Sequence, residues 1–149
     1  MTRQSSENKT KFESWLMGMD DALERFLGLL SPDVRDELDY SPSSLFVLEA
    51  WLLSTYADPD RALAASESKI VDGAARYIGE VFRKNLGAGK WFIEFSDKKN
   101  AFYGLPQLKG LPNQKVQVCP LTLVTSAIDR RTGKFLESIY LNNQRNANL

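Results

Sequence analysis

The chain has 149 residues, 43% hydrophobic and 26% charged, which fits one ordinary globular domain with room for a substantial core. It contains no histidine and one cysteine, Cys119. The usual general base, an internal disulfide and a multi-cysteine metal site are therefore excluded at the level of composition. Formal net charge is zero but unevenly placed: residues 1–75 hold 14 acidic and 7 basic side chains, residues 76–149 hold 5 and 12. Such a split either neutralises itself inside the fold or leaves two faces of opposite sign, one of which meets a charged partner.

Residues 1–8 are polar and expected to be flexible, as are residues 142–149. The N-terminus has no apolar signal-peptide core, and no apolar run approaches the ~20 residues of a membrane span. The expectation is a cytoplasmic protein without membrane contact. From Lys11 to Leu30 one apolar stripe, including Phe12, Trp15, Met19, Leu23 and Phe26, predicts a helix. Asp20, Asp21 and Glu24 fall elsewhere on its wheel. Ser31-Pro32 stops it and opens a short, mostly charged helix ending near Tyr40. Ser41-Pro42 repeats the start signal before a helix carrying Leu45, Leu48, Trp51, Leu52 and Tyr56, and Asp58-Pro59 starts another short piece, with a bend near Ser66.

The chain is organised around the stretch from Asp72 to Phe95. Ile70, Val71, Ala74, Ile78, Val81, Phe82 and Leu86 hold helical spacing, Gly87 and Gly89 close the helix, and a strand begins at Trp91. Gly73 and Gly79 inside the helix are read as close packing against another helix. A polar turn at 96–100 leads to a second strand at Ala101–Leu105. A loop, PQLKGLPNQ, follows, and then a third strand at Lys115–Val118 with Val116 and Val118 on one face. A closing helix starts at Pro120 and is interrupted by Gly133. The predicted fold is a single α+β domain, with N-terminal helices and a C-terminal helix packed on a small three-stranded antiparallel sheet.

Few residues suggest chemistry. Arg76, Glu80 and Lys84 are spaced by four and fall on one helical face, as an ion-pair ladder or a ligand anchor would require. Cys119 lacks a histidine to activate it and reads as a small buried side chain. The acidic set Asp33, Asp36, Glu37 and Asp39 lacks the glycine-punctuated alternation of a calcium loop, so no metal and no cofactor is expected. Asp129, Arg130, Arg131 and Lys134 come without aromatic interleaving or a phosphate-binding glycine loop, which argues against nucleic acid.

The run Ala75-Arg76-Tyr77-Ile78-Gly79-Glu80-Val81-Phe82, then Gly89-Lys90-Trp91, resembles a pattern in small bacterial proteins of unassigned role. Some of these resemble immunity proteins that accompany secreted toxins. The segment Leu48-Glu49-Ala50-Trp51-Leu52 is similar as well, so the resemblance spans about the middle third of the chain. It implies a non-catalytic binding protein and carries over no site residues. The sequence reading is therefore an immunity protein that neutralises a cognate toxin, a cationic toxin domain, by direct binding. Its partner surface is expected to combine Asp33, Asp36, Glu37 and Asp39 with Leu108 and Leu111, two leucines in an otherwise polar loop. The alternative is a small regulatory or ligand-binding domain with a pocket near Glu80, Trp91 and Tyr103.

Overall fold

The computed structural model describes residues 2–147. Helices dominate it. In chain order they are α1 (Arg3–Met17), α2 (Met19–Gly28), α3 (Pro32–Glu37), α4 (Ser44–Thr55), α5 (Pro59–Ala62), α6 (Ser68–Leu86), α7 (Pro120–Arg130) and α8 (Phe135–Ala147). Strands β1 (Lys90–Ile93) and β2 (Pro106–Lys109) pair antiparallel, Trp91 opposite Leu108. Among the described residues no helix is long and apolar enough to cross a membrane.

The organising segment folds as its spacing predicts. In α6, Ala74, Tyr77, Ile78, Val81 and Phe82 are buried because the helix meets α2 on one flank and α7 on another, with α8 also against it. Gly87 closes it at φ +68°, a left-handed conformation that costs glycine little, and its N–H bonds the Arg83 carbonyl. Three residues later the chain is in β1. The two internal glycines allow close approach. A Cβ on Gly73 would lie 2.5 Å from the Phe26 Cβ of α2, and one on Gly79 would lie 2.1 Å from the Trp91 indole. Gly73 thus serves helix packing as expected, whereas Gly79 makes room for a side chain of the strand.

The three-stranded sheet is not formed: the sheet has two strands, so the domain is a helical assembly carrying one hairpin. Residues 101–105 are turns rather than a strand. Asp97 and Asn100 accept hydrogen bonds from the Lys99 and Phe102 N–H groups, Asx turns that curl the backbone where a strand would need it extended. The strand begins instead at Pro106, a strand-end position that tolerates a missing N–H. The third strand is reduced to a single bridge between Leu108 and Val118. The Gln114 amide takes over that edge: it donates to the Leu108 and Val116 carbonyls at 3.0 Å each and accepts from the Leu111 N–H. Val116 is 67% exposed and Val118 buried, so the two do not share an apolar face.

Other boundaries differ for local reasons. The helix expected from 11 to 30 is two, broken at Gly18. Residues 3–8, expected to be flexible, are helical, with Thr2 capping α1 through a bond from the Ser5 N–H. Residues 142–147 likewise belong to α8, and the expectation for residues 1 and 148–149 lies outside the described residues. The closing helix is also two, because Arg131 takes φ +54°. Its guanidinium donates to the carbonyls of Leu53, Tyr56 and Ala57, tying the end of α7 to the end of α4.

Candidate partner-binding face

The carboxylates expected to meet a partner are all on the surface. Asp33, Asp36 and Glu37 are exposed on α3, and Asp39 is exposed just beyond it. The Ser41 hydroxyl and N–H hold the Asp39 carboxyl below its usual pKa, so this group is an anion under ordinary conditions. Also exposed, on α2, are Asp20, Asp21 and Glu24, which the sequence reading left outside the site. Residues 19–43 therefore hold seven acidic side chains against two basic ones, Arg25 and Arg35. Among the described residues none of the seven carboxylates is in a salt bridge; the ion pairs that do form join residues three or four apart in other segments. Among the described residues the acidic N-terminal half and the basic C-terminal half do not neutralise each other through long-range ion pairs.

This acidic segment borders a groove of about 420 Å³ whose apolar floor is Leu23, Leu27 and Tyr40, with Asp20, Glu24 and Arg35 at its edge. Tyr40 is firmly held. Its φ is +64°, uncommon for a bulky residue. Its N–H donates to the Tyr77 hydroxyl at 2.9 Å and its carbonyl accepts from the Asn85 amide at 2.8 Å. Its ring stacks on Tyr77 at 4.7 Å, and the Tyr77 hydroxyl shares a 2.8 Å hydrogen bond with Ser44 inside the core. The Lys84 ammonium lies 5.1 Å from the Tyr40 ring centre. Burial raises the pKa of both tyrosines, so both stay protonated. The only sequence signal for this aromatic floor was that Asp20 and Glu24 sit off the apolar stripe of their helix.

The other expected site residues are dispersed. Leu108 and Leu111 are 1% and 4% exposed and belong to the core, because the loop predicted to be polar is partly β2 and folds over the helices. They are not surface anchors. The ladder of Arg76, Glu80 and Lys84 does not form either. Arg76 turns back to Asp72, Glu80 takes two bonds from Arg83 at 2.8 and 3.1 Å, and Lys84 faces Tyr40. Glu80, Trp91 and Tyr103 do not meet in one pocket: Trp91 lines an enclosed cavity beside Asp72, Tyr103 an open cleft against α1, and Glu80 neither. Asp129 is exposed, and Arg131 is consumed in closing α4.

No group of three acidic or cysteine side chains among the described residues is placed to hold a metal ion. Cys119 is 1% exposed, and burial pushes its thiol pKa up. Thiol reagents are accordingly expected to label the native protein much more slowly than the unfolded chain. Fast stoichiometric labelling of the folded protein, measured by intact mass, would contradict this placement.

No protein-family model, curated protein or solved structure matches the chain.

Proposed function

We propose that the protein is a non-catalytic binding protein that neutralises a cationic protein partner, as an immunity protein neutralises its toxin, through the acidic face of α2, α3 and the turn at Tyr40. The observation that carries the reading is the unpaired carboxylate set beside a rigid aromatic groove. Interfaces commonly join an apolar, well-packed centre to a charged rim. Here the floor of Leu23, Leu27 and Tyr40 is the centre, Asp20 and Glu24 are the rim, and the exposed carboxylates of α3 add charge from the following helix. Seven exposed acidic groups steer a basic partner toward the groove, and a tyrosine fixed through both its backbone groups meets it without having to be ordered first.

The test uses the partner that co-purifies from the source cell, once it has been identified and isolated. Replacing Asp33, Asp36, Glu37 and Asp39 with Asn or Gln is expected to slow association at low salt by about tenfold or more and to leave dissociation little changed. The effect is expected to fade as salt rises toward and above physiological strength, where the Debye length is about 8 Å. Association rates that match wild type at low salt would overturn the reading. The variant's melting temperature is expected to stay close to wild type, because exposed carboxylates outside any salt bridge contribute little to folding and an amide at position 39 keeps the acceptor for the Ser41 N–H.

A further inference from the structure

The basic half of the chain carries a surface of its own, built on the hairpin. Trp91 and Leu108 face the core, so Lys90 and Lys109, direct cross-strand partners one residue away, point outward side by side. Both are exposed. Like charges directly opposite each other destabilise a strand pair. The Lys109 ammonium lies 5.2 Å from the Phe92 ring centre, and Phe92, Lys109, Lys115 and Val116 line one shallow cleft of about 460 Å³. Val116 is 67% exposed. Lys98 and Lys99 add two more exposed cations, and residues 98–117 contain no acid. Among the described residues none of these five lysines is in a salt bridge.

The complement of this surface is on the same chain. Residues 19–43 hold seven acidic side chains against two basic ones, and they border the groove floored by Leu23, Leu27 and Tyr40. Each copy therefore exposes cations around an outward apolar side chain on the hairpin, and carboxylates around an apolar groove on α2. Formal net charge is zero, so copies lack the mutual repulsion that keeps strongly charged proteins apart. A nucleic acid fits the lysines less well. It would meet a chain with no net positive charge, and the segment from Lys90 to Gln117 has no arginine.

We propose that the chain associates with itself head to tail, the basic hairpin face of one copy docking on the acidic groove of the next. A carboxylate from the groove edge relieves the repulsion between Lys90 and Lys109, and Val116 meets the apolar floor. The contact joins unlike surfaces, so it adds copies in series instead of closing as a twofold dimer does. Each junction is weak, because exposed ion pairs contribute little singly and are screened by salt. At dilute protein and near-physiological salt the copies are separate. The contact uses the acidic face without needing a foreign partner for it, so its failure leaves the partner reading to that reading's own test.

The test follows the full chain alone by sedimentation velocity at ionic strengths of about 0.01 M and about 1 M, where the Debye length falls from about 30 Å to about 3 Å. The sedimentation coefficient is expected to rise with protein concentration at low salt and to stay constant at high salt. Carbodiimide coupling of mixed light and isotope-labelled chains at low salt is expected to join Lys90, Lys109 or Lys115 of one copy to carboxylates of residues 19–43 of another. Changing Lys90, Lys109 and Lys115 together to Gln is expected to abolish the rise. The same change at Lys11, Lys69 and Lys134, exposed elsewhere and equal in net charge, is expected to keep it. A wild-type chain that stays monomeric at low salt overturns the proposal, and if it binds a single-stranded oligonucleotide there, the lysines serve a polyanion instead. Crosslinks between copies confined to other residues, or equal loss in the two variants, overturn it as well. Sedimentation and crosslinking are read on the unmodified chain, so they stand even if a variant fails to fold.

Discussion

Replacing Ile78 with aspartate is expected to abolish the cooperative thermal transition. Ile78 is fully buried in the middle of α6, the helix against which α2, α7 and α8 pack. An ionised carboxylate there has no cation to meet, and its desolvation costs more than the ~5–15 kcal/mol that separates most folded domains from their unfolded chains. The control is Ile78→Val, which removes one methylene at about 0.5–1.5 kcal/mol and should leave a shifted but sharp melt. An Ile78→Asp protein that melts like wild type would show that α6 is not the core helix.

Glu49→Ala is expected to be the next most damaging change. Glu49 is 0% exposed, in the middle of α4, and among the described residues no cation forms a salt bridge with it. Its two carboxylate oxygens accept the N–H groups of Phe135 and Leu136 at 3.1 and 2.7 Å, so it caps α8 from a different helix. The helix N-terminus supplies the positive potential that lets this charge stay buried. Two hydrogen bonds to a charged group, at about 1.5–3 kcal/mol each, are lost together on truncation. For a chain of this size that corresponds to a fall in Tm of about 10 °C or more by calorimetry. Glu49→Gln keeps one acceptor oxygen and should fall between. A melt within a degree or two of wild type for Glu49→Ala would mean the α4–α8 junction is held by packing alone.

Glu49 also marks where the sequence stopped being legible. An apolar helix with one acid in it reads as a helix, and no local pattern says that its carboxylate will meet backbone groups 86 and 87 residues away. The same holds for Arg131, whose three long-range bonds close a helix more than 70 residues earlier. Periodicity did identify α6, its glycine stop and the start of β1, because those are set by neighbours along the chain. The strands after β1 were misplaced for a specific reason. Tyr103 and Phe102 look like strand residues, but the Asx turns at Asp97 and Asn100 curl the chain before them. Gln114 then satisfies the edge that a third strand would have filled. Leu108 and Leu111 were read from a loop that is partly strand, so their burial was hidden.

The acidic set on α3 was visible in composition, since exposed charge needs no tertiary information. Its extension to Asp20 and Glu24 was not, nor was the groove floored by Tyr40, because α2, Arg35 and Tyr40 line one groove only in the folded chain. Trp91 does not meet Glu80 and Tyr103 in the pocket expected from the sequence: it lines a cavity with Asp72 and Trp15 instead.

The most direct test of the binding reading is hydrogen exchange by mass spectrometry on the protein with and without its co-purified partner. Slowed exchange on binding is expected to concentrate in residues 19–43, the span of α2, α3 and the Tyr40 turn, and to spare residues 98–117, a basic surface with Lys98, Lys99, Lys109 and Lys115 exposed and no acidic side chain. Protection confined to that basic surface, with residues 19–43 exchanging as in the free protein, would contradict it.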